Sequence, residues 1–168
     1  MSERLIPLSK PLRKPNPSGT VGAVQTLDIL RSLGCCGVDP ETLCRTVALD
    51  PQRLERDADR RVAPRVVADV FAAAAHASGD LLIGLHAAEH ATPRGPLLFL
   101  MLAEANLGAS LRAWERYAPI PISSLRVHVE LDDDAAAMVF DLGEPTLDRN
   151  PHVVEYLMLA VLNALVRA

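Results

Sequence analysis

The chain has 168 residues, a formal net charge of −4, 49% hydrophobic residues and only 4% aromatics. That length suits a single domain with its own hydrophobic core, built here from Ala, Leu and Val. The acidic balance argues against a nucleic-acid grip by this segment alone.

Residues 1–19 hold Pro7, Pro11, Pro15 and Pro17 with Ser and Lys between them, a composition that predicts an extended or disordered arm. Arg4, Lys10, Arg13 and Lys14 make this arm basic, in the manner of a solvated tail. Residues 20–168 are then the folded domain. The stretch 21–33 reads as a helix, with Val24, Leu27 and Leu30 near one face and Gly34 as its C-terminal cap. Asp39-Pro40 and Asp50-Pro51 repeat one start signal. Asp accepts the free N–H groups and Pro fits the first turn, so each opens a short helix. Pro64 opens a longer helix with Val67, Val70, Phe71 and Ala74 as its apolar stripe, ended by Ser78-Gly79. Asp80 caps a helix over 81–91.

A turn over 92–95 follows. The stretch 97–105 is apolar nearly all round, which predicts a central, buried helix. Asn106 or its neighbours cap the next one, with Leu107, Leu111, Trp114 and Ala118 on one side, and Pro119 and Pro121 stop it. Period-two alternation then sets in. Leu125, Val127, Val129 and Leu131 share a face, 132–134 is a polar turn, and Ala136, Met138, Phe140 and Leu142 return. Ala137 and Val139 make the other face of that return strand apolar too, so it is buried on both sides or meets a partner. Pro151 opens the last helix. Val153, Leu157, Val161 and Leu165 form one face, and Val154, Met158, Leu162 and Val166 extend the apolar surface; one face can pack on the sheet, but both are hard to bury in a small monomer. The pattern predicts an α+β fold, mostly helical, with a hairpin over about 123–142 and a C-terminal helix.

Cys35, Cys36 and Cys44 form no even disulfide framework, which fits a reducing cytoplasm. Residues 1–30 lack the apolar core of a signal peptide. The longest apolar runs, 96–103 and 156–166, fall short of the roughly 20 residues a membrane span needs.

The segment GLHAAEHATPRGPLLFLMLAEANLGASLRAWERYAPI, residues 84–120, is followed by the hairpin and the closing helix. Asp80, Gly84 and Leu85, then Gly95, then Leu107, Gly108, Leu111, Arg116 and Tyr117 match a D-x-x-x-G-L segment, a second glycine and a helix ending in Arg-Tyr. In this the chain resembles, over about 20–168, the N-terminal, arabinose-binding-like sensing domain of AraC-type transcription regulators. His86-Ala87-Ala88 stands where that family often has an Arg and a Gly, a change expected to alter the floor of a pocket. The resemblance implies a domain that senses a small effector, forms a homodimer and controls an attached helix-turn-helix domain. No such domain follows Ala168, so contact with DNA is expected only through a part absent from this chain. The order of elements is also distantly similar to haem-based nitric-oxide sensors. Residues 107–118 hold no axial histidine, so no haem or other cofactor is expected.

Trp114 and Tyr117, with Phe99, Met101, Met138 and Phe140, are candidates to line a cavity between helices and hairpin. Each also suits a plain core position. Arg94, a lone cation in a turn, is a candidate fork for a carboxylate on an apolar effector. His86, Glu89 and His90 spell H-x-x-E-H, an inverted zinc-peptidase motif, with Glu155 as the tempting third ligand. The context does not suit a peptidase, and no catalytic triad or phosphate loop stands out, so no catalytic or metal-binding residue is assigned. A ligand-free dimerisation module is the alternative, ahead of a zinc hydrolase.

Overall fold

The computed structural model describes residues 19–92, 96–132 and 135–166. Residues 1–18 of the arm expected over 1–19, Arg94 and the tip of the hairpin at 133–134 lie outside the described residues. The elements run β1 (Val21–Gly22), α1 (Ala23–Cys35), α2 (Pro40–Thr46), α3 (Pro51–Arg56), β2 (Arg61–Val62), α4 (Pro64–Ser78) and α5 (Ile83–Glu89). They continue with α6 (Pro96–Leu102), α7 (Leu107–Tyr117), β3 (Arg126–Leu131), β4 (Ala136–Asp141), α8 (Pro145–Asp148) and α9 (Pro151–Val166). This is the mostly helical α+β fold that the sequence predicts.

The start signals act as their chemistry dictates. Asp39 accepts from the N–H groups of Glu41 and Thr42, and Asp50 from that of Arg53, each just ahead of a first-turn proline. Asn106 Oδ1 accepts from the Ala109 N–H at 2.9 Å and opens α7. Gly79, at φ +69°, ends α4 in the left-handed conformation.

Five sequence readings are corrected, four of them about single elements. First, α1 runs through Gly34 to Cys35. Gly37, at φ +82°, makes the turn instead. Val38 N–H reaches Leu33 O at 3.3 Å and Gly37 N–H reaches Gly34 O at 3.1 Å, with Val38 and Leu33 both buried, which is a Schellman closure. Gly34 is small for a packing reason: a Cβ there would stand 3.1 Å from Pro40 Cγ.

Second, residues 21–22 are a strand. Val21 pairs with Val62 and Gly22 with Arg61, and Val21 also bridges Ile122. The first N–H groups at the head of α1 are satisfied from outside the helix, Gly22 by Pro121 O and Ala23 by Arg60 O, both at 2.9 Å. Third, α5 begins at Ile83, because Asp80 Oδ1 turns back to the Leu82 N–H at 2.8 Å rather than capping a helix. Fourth, α6 is peripheral. Leu97 and Met101 are buried, whereas Phe99 is 70% exposed and Leu102 is 47% exposed. A two-turn helix at the margin of a small domain has neighbours on one side only.

The hairpin pairs Arg126 with Asp141, Val127 with Phe140, Val129 with Met138 and Leu131 with Ala136. Its Val127 and Val129 are buried, while Ala137–Phe140 stay half-buried. Glu115 ties α7 to this sheet: its Oε1 lies 2.9 Å from His128 Nδ1 and accepts the Val129 N–H at 3.3 Å. The last helix does not lie on the hairpin as expected. It packs closely along α5, where Gly84, Ala87 and Ala88 are buried and small. Asn163 Nδ2 donates to Ala88 O across that seam at 3.2 Å. The core proper gathers α1, α4, α5 and α9 around Leu33, Phe71 and Ile83.

Candidate functional site

An apolar cavity of about 140 Å³ lies among α1, α4, α6, α7 and α9 and the segment 121–125 that leads into β3. Helical spacing builds each wall. On α1, Gln25, Asp28 and Ile29 stand at i, i+3 and i+4; on α9, Val153, Tyr156, Leu157, Ala160, Val161 and Ala164 form one continuous stripe. Val67 and Phe71 come from α4, and Leu97, Leu98 and Met101 from α6. Val67 and Phe71 of α4, Ile29 of α1 and Val153 of α9 are themselves buried core residues, so the core fixes these walls and the cavity is preformed. Its size is that of a void of ~150 Å³ known to take up benzene.

Polar groups are few. Tyr156 closes one side, its ring against Phe71 at 5.4 Å between centroids. Its hydroxyl stands 3.5 Å from Ser32 Oγ, and burial pushes its pKa up to about 12. Asp28 is held from outside by Arg31, Nη1 to Oδ1 at 2.6 Å. Trp114 lies on the α7 side, its Nε1 buried without a hydrogen-bond partner among the described residues. Thr92 and Gln25 complete the polar side chains of the described lining.

Of the residues singled out from sequence, Met101 and Trp114 stand in this wall. Phe99, on the same helix as Met101, points outward and is exposed. Tyr117 is half-buried under the Arg116 guanidinium, 5.3 Å from its ring centre, and does not line the cavity. Met138 and Phe140 pack against the core from the hairpin, outside the lining. Arg94 lies outside the described residues. Sequence reasoning missed Gln25, Asp28 and Tyr156. Tyr156 had a usable signal, an aromatic hydroxyl on the inward stripe of the last helix. For Gln25 and Asp28 the signal was ambiguous, because polar residues on a surface helix normally face water.

Ala87 and Ala88, expected at the floor of a pocket, instead fill the α5–α9 seam, and Ala91 alone of that helix region reaches the cavity among the described residues. His86 of the H-x-x-E-H motif is engaged elsewhere. Its Nδ1 is 2.6 Å from Asp80 Oδ2, a hydrogen bond that raises the histidine pKa and lowers that of the aspartate. Glu155 contacts His152 Nδ1 at 3.5 Å. Among the described residues no three His, Cys, Asp or Glu side chains gather as metal ligands would. Cys35, Cys36 and Cys44 are free, with burial pushing the Cys36 and Cys44 thiols up. Among the described residues no single helix is long and apolar enough to cross a membrane.

No curated protein matches the chain. A family model does, the arabinose-binding domain found at the N-terminus of AraC transcription regulators, over residues 37–168. The match takes in α2 through α9 and thus every wall of the cavity except α1 and the β1 residue Val21. The chain belongs to the arabinose-binding, N-terminal domain family of AraC transcription regulators.

Proposed function

We propose that this domain senses a small metabolite in the cavity among α1, α4, α6, α7 and α9, and passes occupancy to an attached helix-turn-helix domain. The observation that carries this reading is the preformed apolar cavity itself, walled by helices from both ends of the chain. A molecule filling it touches α1 and α9 at once. It therefore favours one relative placement of those helices over others, which is how a ligand shifts a population between two states. Met101 and Trp114 are the sequence candidates that supply wall contacts, and the body of the ligand is apolar and about the size of a six-membered ring. The work is binding, and no catalytic role is assigned to any residue.

The signalling unit in this reading is a homodimer. Met158, Leu162 and Val166 stand at i, i+4 and i+8 on α9, 53%, 54% and 78% exposed. Such a stripe suits a self-complementary contact with a second copy. A cytoplasmic location and contact with DNA through the attached domain belong to the same proposal.

The test is a panel of small apolar metabolites read by melting temperature, with native mass spectrometry of the freshly purified protein alongside. A compound present at 100 times its Kd adds roughly 2.7 kcal/mol of stability and raises Tm visibly. A dimer whose Tm no compound moves would favour a ligand-free dimerisation module instead.

A further inference from the structure

Trp114 enters the cavity wall from α7, and its body packs against the core. Its Nε1 is buried and has no hydrogen-bond partner among the described residues. Of the described lining residues, Trp114 alone carries a buried side-chain nitrogen or oxygen in that state. The other polar side chains of the lining are answered. Ser32 Oγ gives its proton to the Asp28 carbonyl at 2.8 Å, so the Tyr156 hydroxyl, 3.5 Å from that oxygen, donates to Ser32. Asp28 is engaged, in part by Arg31. Gln25 is half-buried and Thr92 is exposed, so water can serve both. An indole N–H can only donate. Left buried and unpaired, it lacks the bond that nearly every buried polar group of a folded protein finds. Water is a poor partner here. A buried water makes about three hydrogen bonds, and the described lining is mostly Val, Leu, Ile and Ala.

We infer that the cavity takes a compact, ring-sized apolar molecule with one neutral oxygen acceptor, as on a ketone or an ester, and that Trp114 Nε1 donates to that oxygen. This rests on the cavity being the effector site. The body of such a molecule fills the apolar space as water cannot, and its oxygen supplies the bond that the indole lacks. Neutrality follows from the lining. An ionised carboxylate buried without a cation costs far more than a carbonyl, and no Lys, Arg or His is among the described lining residues.

The test uses cyclohexanone and methylenecyclohexane, probes of one shape that differ only in a carbonyl oxygen against a methylene group. Trp114 is the sole tryptophan, so its indole N–H gives a single magnetic resonance signal in isotope-labelled protein. The ketone is expected to move that signal downfield, as a new hydrogen bond does, and the alkene to leave it nearly in place. Calorimetry supplies the affinities. The ratio of ketone to alkene affinity is expected to fall about fivefold or more in Trp114→Phe, the size of one hydrogen bond. Taking the ratio within each protein cancels the different hydration of the probes, and the room that Phe adds serves both alike. A signal that the bound ketone does not move, or a ratio equal in parent and Trp114→Phe, overturns the inference and leaves the cavity as a ligand site. Binding of the alkene without the ketone, or of cyclohexanecarboxylate more tightly than cyclohexanone, overturns it too. Failure of every probe to bind removes the effector-site reading and this inference together. The signal shift in the unaltered protein decides the matter even if Trp114→Phe fails to fold.

Discussion

Gly84 of α5 and His152 of α9 lie backbone against backbone: a Cβ on Gly84 would stand 2.7 Å from the His152 Cα and nearer still to its carbonyl oxygen. Backbone atoms of a helix cannot turn aside as a side chain would. Gly84→Ala is therefore expected to force the two helices apart and to destabilise the domain by roughly 1–3 kcal/mol. Urea or thermal unfolding measures this directly. A variant as stable as the parent would mean that α9 slides freely along α5.

Filling the cavity separates stability from sensing. Ala160 lies on the α9 stripe that faces the void. Ala160→Leu is expected to stabilise the ligand-free domain by roughly 0.5–2 kcal/mol, as cavity-filling changes do. The same variant is expected to lose its response to every compound that raises the Tm of the parent. A variant that still responds would place the ligand elsewhere.

Tyr156 gives the alkaline limb of stability a signature. Its pKa is raised by burial from 10.0 to about 12. Below pH 10 both folded and unfolded forms keep the phenolic proton, and the stabilisation is complete. Between 10 and about 12 the unfolded chain loses the proton while the folded one keeps it, so stability falls as pH rises. Tyr156→Phe is expected to flatten that fall in urea titrations at a series of pH values. An equal slope in parent and variant would show that the hydroxyl titrates normally in the folded protein.

The exposed stripe of α9 makes the proposed dimer testable. Met158 is half-exposed, so a charge there leaves the monomer fold intact. Met158→Glu is expected to shift sedimentation from dimer to monomer with an unchanged circular dichroism spectrum. A dimer that persists would remove this helix as the interface.

How much of this was legible in the chain depended on the range of the interactions. Asp39-Pro40, Asp50-Pro51, Ser78-Gly79 and Pro151 mark helix ends through groups a few residues apart, and all of them hold. The alternation from Leu125 to Leu142 names the hairpin and its faces, because strand period is a local property. The two-residue strands were invisible, since Val21 and Val62 pair across 41 positions and two residues carry no period. The cavity was half legible. Met101 and Trp114 were found because large apolar residues flag walls, whereas Phe99, equally apolar, sits on the outward side of the same helix.

The sequence by itself determined the longer elements, several of their ends and the family, because caps, turns and periodicity act within a few residues. Only the tertiary structure decided which apolar faces meet. It set α9 on α5 rather than on the hairpin, because Gly84, Ala87 and Ala88 let two helices approach closely. It left α6 with one buried side, and it placed Asp28 and Tyr156, from opposite ends of the fold, in the wall of one apolar cavity. Those outcomes depend on contacts between residues far apart in the chain, as Gly84 and His152 are, and no local pattern records them.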